Sequence, residues 1–235
     1  MAKRYVFSSE SVSEEHPDKV ADQISDAVLD FCLAQDENAH VACETMVGPD
    51  MVVNMGEISA DGFDPAAVEG VARQVAEDIG YTIPEESFSF DTFRYITNIH
   101  AQSPDIARGV VRGNALDQGA GDQGMMFGYA TDETEELMPF ALMWSHKLLR
   151  KFAAMRHSGE FPGLRPDAKA QLSVVYEDER PVAIDTVVLS HQTTEEGANA
   201  KTYRAIEDVC RQTLAPTGLL SDKVKFHVNP TGKFV

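Results

Sequence analysis

Apolar residues recur along this chain in two rhythms, one of about four residues and one of two. In SEEHPDKVADQISDAVLD (13–30), Val20, Ile24, Ala27, Val28 and, just beyond, Phe31 share one face, while Asp22, Asp26 and Asp30 share the other. That spacing predicts an amphipathic helix. Its first residue is Pro17, well placed because the missing N–H would have no partner there. VACETMV (41–47) and MVVNMGEI (51–58) alternate around Gly48-Pro49-Asp50 and predict a hairpin. Asp64-Pro65 opens a second helix, with Val68, Val71, Val75 and Ile79 on its apolar face and Gly80 closing it. FSFDTFRYITNIHA (88–101) alternates again and predicts a long strand.

From 102 to 124 the texture changes to QSPDIARGVVRGNALDQGAGDQG, dense in glycine and without apolar periodicity. A stretch of this length without elements is read as a mobile loop and as the boundary between two units. The second unit repeats the style of the first. MMFGYA (125–130) predicts a short strand and 139–158 a helix ending before Gly159. Strands at 168–176 and 182–192 flank the turn Asp178-Glu179-Arg180-Pro181, and a helix over 195–214 leads to a strand over 223–229. The class expected is α+β, two successive similar sandwiches in which helices cover one face of a mixed sheet.

Composition narrows the function. Over 235 residues the formal net charge is −18, a field that repels DNA, RNA and anionic membrane surfaces. A nucleotide ligand would need local lysines and bound cations to overcome it. Cys32, Cys43 and Cys210 are scattered, odd in number and in no Cys-x-x-Cys pair, which reads as reduced thiols in a cytoplasmic protein. The start, MAKRYVFSSES, lacks the apolar core of a signal peptide, and no apolar run approaches a membrane span.

Candidate chemistry begins at the entrance of the first helix. A histidine, a carboxylate and an ammonium at a helix N-terminus (His16, Asp18, Lys19) can donate a proton, hold a divalent cation and touch an anion. That combination suits a phosphate-bearing ligand with its metal. On the hairpin, Glu44 shares a strand face with Ala42 and Met46, and Glu57 with Met51, Val53 and Met55. One carboxylate on such a face ordinarily points to solvent. Two together suggest one for a metal ion and one for a substrate ammonium group. GAGDQG (119–124) matches G-x-G-x-x-G, but an irregular loop precedes it and a strand-like run follows, so a dinucleotide fold is rejected. Its glycines instead permit close backbone approach to a ligand or a partner subunit. No phosphate loop of the form G-x-x-x-x-G-K-[ST] and no G-x-S-x-G elbow is present. His40, His100, His146, His157, His191 and His227 show no metal-site spacing. Asp167-Ala168-Lys169 lies at the mouth of a strand, where taken alone a lysine is a surface residue.

The residues carry a more specific message. SVSEEHPDKVADQISDAVLD closely resembles the first signature of the S-adenosylmethionine synthetases (methionine adenosyltransferases). ACET, GEI, QSPDIARGV, DQGAGDQGMMFGYATDETEELMP, RPDAK and NPTGKFV follow in the order that family shows. The resemblance covers essentially the whole chain. It implies attack of the methionine sulfur on the ribose 5′ carbon of ATP, expelling triphosphate that is hydrolysed to diphosphate and phosphate before release. Such chemistry needs no protein nucleophile, only orientation and preorganised charge.

Carried over by position, the resemblance implies that His16 contacts the triphosphate near the breaking bond and that His16 and Lys169 are the catalytic residues. It places Asp122, Asp167, Lys169, Lys233 and Phe234 with His16 in ATP binding, and Glu57 and Gln102 in methionine binding. Asp18 becomes a Mg²⁺ ligand, one of two such ions expected, Glu44 the K⁺ ligand, and Lys19 a neighbouring phosphate or structural charge. It implies an N-terminal domain over 1–101, a mobile active-site loop over 102–116 and a central domain over 117–235. A third domain of that fold, with further cationic residues and a second magnesium-binding aspartate, is missing, so the chain alone is expected to be inactive. The partners implied are ATP, L-methionine and a second copy, as a homodimer or dimer of dimers with active sites at the subunit interface. Nucleic acid and membrane are not among them. Two residues depart from the pattern. Glu15 stands where the family has glycine, and either weakens ATP binding or points outward. Lys233 replaces an arginine and loses its bidentate fork. The competing reading is a non-catalytic nucleotide-binding homologue or a regulatory partner of a complete subunit.

Overall fold

Helix α1 (Pro17–Leu33) buries Val20, Ile24, Val28 and Cys32, a stripe at every fourth residue, and leaves Asp22, Asp26 and Asp30 exposed. The computed structural model describes residues 3–84, 86–101, 114–117, 119–120 and 123–235. These fall into two compact units, residues 17–128 and residues 1–16 with 129–235.

In the first unit α1 is followed by the hairpin β2 (His40–Gly48) and β3 (Met51–Ser59), then α2 (Ala67–Ile79) and β4 (Arg94–His100). β2 and β3 pair antiparallel and β4 joins β3 in parallel, giving a mixed three-stranded sheet in the order β2-β3-β4. Gly56 sits at φ +145, and a Cβ there would lie 2.0 Å from the Ala42 carbonyl oxygen, so only glycine fits this point of the hairpin. The centre of α2's packing face is Val68, Ala72, Ala76 and Ile79, with Val71 and Val75 flanking it. The sequence pattern had centred that face on the valines. Alanines let the helix approach the sheet more closely. Gly80, at φ 112, closes α2 as expected.

The long strand predicted over 88–101 is shorter. Phe88 and Phe93 stack with centroids 5.3 Å apart, and the Phe93 N–H donates to the Ser89 carbonyl. Arg73 from α2 lies 4.4 Å from the Phe93 ring and donates to the Phe90 and Phe93 carbonyls. The aromatic residues are consumed in a core-filling turn, and the strand begins only at Arg94.

The second unit repeats the succession with α3 (Phe140–His157), the hairpin β5 (Leu164–Glu177) and β6 (Arg180–Thr193), α4 (Ala200–Leu214) and β7 (Lys225–Val228). β6 and β7 are again parallel. The turn residues Asp178 and Glu179 both take positive φ, the geometry that suits a tight hairpin. One strand is added: β1 (Arg4–Val12) pairs antiparallel with β5, from Arg4 opposite Glu177 to Val12 opposite Lys169. The sheet order is β1-β5-β6-β7, so the first strand of the chain belongs to the second sheet. The hydrophobic pattern did not announce β1, because more than half of RYVFSSESV is polar. The edge of β5 gives its backbone a ladder. α4 starts at Ala200 rather than 195, because the Asn199 side chain accepts from the N–H groups of Lys201 and Thr202 and caps it there. MMFGYA forms no strand; Met125, Met126, Phe127 and Tyr129 are 75–89% exposed, with no ladder partner among the described residues.

Both units are therefore mixed sheets with helices, and the α+β class holds. No helix among the described residues is long and apolar enough to cross a membrane.

Candidate functional site

Five of the residues singled out above gather toward one end of the four-stranded sheet. The chain leaves β1 at Val12, opposite Lys169, and Ser13 ties the next turn to β5. Its N–H donates to the Ala168 carbonyl at 2.8 Å, its hydroxyl donates to Pro166 at 3.3 Å and accepts from the Ala168 N–H at 3.0 Å. His16 closes that turn by donating to the Ser13 carbonyl at 3.1 Å. The half-buried His16 thus stands beside the strand segment that carries Asp167 and Lys169. Lys169, exposed, pairs in register with Ser190 of β6.

The far side of β6 brings in the chain end. Asn229, 3% exposed, replaces a strand residue: its side chain accepts from the His191 N–H at 2.8 Å and donates to the His191 carbonyl at 3.0 Å. Phe234 is held by its carbonyl, which accepts from the Thr193 N–H at 2.9 Å. Lys233 pairs with Glu195 at 2.5 Å. Beneath this end lies His191, 2% exposed, whose ring meets Phe152 edge-on at 5.5 Å. Its Nδ1 lies 3.0 Å from the Gln192 carbonyl and donates to it. Burial holds its pKa down at about 4, so it stays neutral.

Glu15 neither faces solvent nor is free to point at a ligand. It is 1% exposed, and Arg156 in the last turn of α3 donates to its Oε1 from Nε at 3.0 Å and from Nη2. Burial lifts the Glu15 carboxyl above its ordinary value against the pull of Arg156. Glu14 reaches His157 Nε2 at 2.8 Å and Arg156 Nη2 at 3.7 Å. His157, ordinary by sequence spacing, is therefore part of a charged cluster that only the packing of α3 against the β1–α1 turn reveals. The one sequence signal was the oddity of Glu15 itself.

In the three-stranded unit the predicted face-sharing holds. Ala42 lies opposite Glu57 and Glu44 opposite Met55, so both carboxylates project from the same side of the sheet as diagonal neighbours. That side faces away from the helices, with Met46 at 67%, Met55 at 47% and Ile96 at 42% exposure. Glu57 Oε1 lies 3.5 Å from Nε2 of His100 on β4. Asp18 is exposed in the first turn of α1, where a carboxylate complements the helix dipole, and Lys19 beside it pairs with Asp22 at 2.7 Å. Gln102, Asp122 and the loop expected over 102–116 up to residue 113 lie outside the described residues; Ala115–Asp117 forms a single tight turn. The cysteines are free thiols, with Cys210 pushed up to about 12 and Cys32 and Cys43 raised, in each case chiefly by burial.

Comparison with known proteins matches residues 4–104 to the N-terminal domain of S-adenosylmethionine synthetase and residues 117–234 to its central domain. The S-adenosylmethionine synthase of Sorangium cellulosum (strain So ce56) is 47% identical over 235 residues, 99% of this chain. The chain spans 55% of that protein's length.

Proposed function

The chain belongs to the S-adenosylmethionine synthetase family, and on that premise we propose that it carries the polyphosphate-binding part of a methionine adenosyltransferase site. The reaction is ATP, L-methionine and water to S-adenosylmethionine, phosphate and diphosphate. The observation that supports this reading is the gathering of His16, Asp167, Lys169, Lys233 and Phe234 at one end of the four-stranded sheet, through backbone and side-chain hydrogen bonds that tie residues 13–16 to β5 and residues 229–234 to β6.

In this reading, Lys169 and Lys233 supply positive charge to a triphosphate whose charge grows as the C5′–O bond breaks. His16 donates a hydrogen bond to the oxygens next to that bond. Preorganised donors of this kind stabilise a polyanionic leaving group without any covalent step. Phe234 and Asp167 orient the nucleoside, and Asp122 belongs to the same ATP-binding set. The methionine ammonium group is taken by Glu57 with Gln102. Residues 102–116 are the proposed loop between domains at 1–101 and 117–235.

The donor chemistry fits the expected ions. Asp18 offers hard carboxylate oxygens at an exposed helix entrance, suited to Mg²⁺, and Glu44 offers a carboxylate on an open sheet face, suited to K⁺. Bound there, Mg²⁺ would neutralise polyphosphate charge. A second copy of the chain is the proposed partner, completing a site shared between subunits.

The test is calorimetric titration of residues 1–235 with Mg·ATP, alongside Lys169→Met and His16→Ala. Saturable binding weakened about tenfold or more in each variant is expected, one charge-assisted contact being worth roughly 1.5–3 kcal/mol. Turnover with ATP, methionine, Mg²⁺ and K⁺ should run at least about 10²-fold below the Sorangium protein, because cationic groups expected elsewhere in the family's site are not among these residues. Absence of Mg·ATP binding would overturn the reading. Tight binding with no turnover, even when mixed with a complete subunit, would favour the non-catalytic homologue.

A further inference from the structure

Resting on that reading of His16, we infer that Glu15 and Arg156 form a positioning pair, a buried clamp between the β1–α1 turn and the end of α3 that holds His16 in place. Ser13 is fixed to β5 by three hydrogen bonds, and the very short segment that follows it is then fixed again through Glu15. Only His16 follows before the chain leaves this unit. A histidine displayed from a turn pinned on two sides has little freedom to move, which is what orienting a donor toward a leaving group requires.

The clamp is built for rigidity. Two guanidinium nitrogens converge on one carboxylate oxygen, and the partners are 1% and 13% exposed. Arg156 also sits in the last turn of α3, where the helix dipole favours a cation. The outer contact, Glu14 with His157, is about 43–46% exposed and adds little. Glu14, Glu15 and His157 present ligand atoms within 4.8 Å of one another, the spacing of a metal site. Yet the Arg156 guanidinium already lies on Glu15 and 3.0 Å from His157 Nε2. A cation is therefore supplied by the protein itself, and the cluster is an ion-pair network. The same pairing explains how a glutamate is accommodated beside a site for a polyanion: its charge is directed at α3 and neutralised there.

The experiment uses residues 1–235 and inorganic tripolyphosphate with Mg²⁺ as the probe. Affinity is measured for wild type, Glu15→Gln, His16→Ala and the double variant. If Glu15 acts through His16, Glu15→Gln weakens binding about tenfold in the wild-type background but less than about twofold once His16 is gone, the non-additivity expected of coupled residues. Glu15→Met with Arg156→Met removes both charges without leaving one buried alone, and should reproduce the loss if Glu15→Gln fails to fold. Losses that add in the His16→Ala background would overturn the clamp. The His16 ring resonances give a second reading that needs no ligand. They should shift in Glu15→Gln and in the Met/Met variant but not in Glu207→Gln, whose partner Arg211 lies on α4. Ring resonances that do not move would also overturn it. If wild type fails to bind tripolyphosphate, the proposed function falls, and the ring resonances alone decide the clamp.

Discussion

The two units run through the same succession of helix, hairpin, helix and parallel strand, yet they seal their sheets differently. The four-stranded unit has one continuous apolar core in which Leu148, Phe152, Leu172, Val174, Leu189, Ile206 and Leu214 are fully buried. In the three-stranded unit the buried apolar residues form two clusters, with Tyr95 packed against both. The polar contacts there include Asn54, fully buried, whose Nδ2 donates to Thr45 Oγ1 at 2.8 Å, and Ser25 of α1, whose hydroxyl meets the same Thr45 oxygen at 2.7 Å. The four-stranded unit collects much of its buried polarity at one end of the sheet instead, in Ser13, Glu15, His191 and Asn229, where the proposed polyphosphate residues emerge. The comparison teaches that the same topology can spend buried polar groups on register or on a site. Thr45 lies opposite Asn54, so a slipped hairpin would strand both.

The largest effect expected from this difference is in the apolar core. Leu148→Ala should destabilise the four-stranded unit by about 2–5 kcal/mol, because a close-packed site cannot collapse around the cavity. Urea denaturation read by Trp144 fluorescence, a residue packed against this core, checks it. A loss below about 1 kcal/mol would break the contrast between the two cores.

Next comes acid sensitivity at the polar end of that sheet. The folded pKa of His191 is depressed to about 4 from 6.5, so the unfolded chain binds the extra proton first. The contribution of the neutral ring is fully present above pH 6.5 and is lost as pH falls toward 4, up to about 3 kcal/mol. Glu15 runs the other way: its raised carboxyl favours the fold below about 4.5, and that contribution is lost as pH rises through the folded value. Comparing urea midpoints of wild type and His191→Leu at pH 7 and pH 4.5 separates the two. Equal pH dependence in both proteins would rule His191 out as the source.

A smaller cost should follow from breaking the polar seam of the three-stranded unit. Thr45→Val leaves the Asn54 amide and the Ser25 hydroxyl short of a buried partner, and about 1–2 kcal/mol is expected. Thr45→Val with Asn54→Leu and Ser25→Ala should recover most of it. Failure to recover would mean that the seam contributes stability and not only register.

The smallest effect on the fold is expected at Glu44. Glu44→Gln on the exposed sheet face should shift stability by less than about 0.5 kcal/mol, while abolishing the response of activity to potassium in a complete enzyme. An unchanged potassium response, measured as rate in K⁺ against a large inert cation, would remove Glu44 from the ion site.

What the sequence determined by itself was local and periodic. The four-residue stripe of α1, the alternation of β2 and β3 around Gly48-Pro49-Asp50, the Gly80 stop and the hairpin over Asp178 to Pro181 follow from helix and strand geometry within a few residues. The strand-face neighbours of Glu44 and of Glu57 were legible for the same reason, whereas the hairpin register, with Ala42 opposite Glu57, put the two carboxylates on one side of the sheet. The motifs identified the family because they are matched residue by residue. Tertiary structure decided what depends on a distant partner. Arg4–Val12 is a strand because β5 offers it an edge more than 150 residues away, and no alternation within RYVFSSESV says so. Phe88 to Phe93 leave the strand because Arg73 and the α2 core draw their rings inward. Glu15 was conspicuous in the sequence, but its meaning depended on Arg156, brought to it across 141 positions by the packing of α3. The free energy of a buried charge is set by the group that meets it, and that group is chosen by the fold.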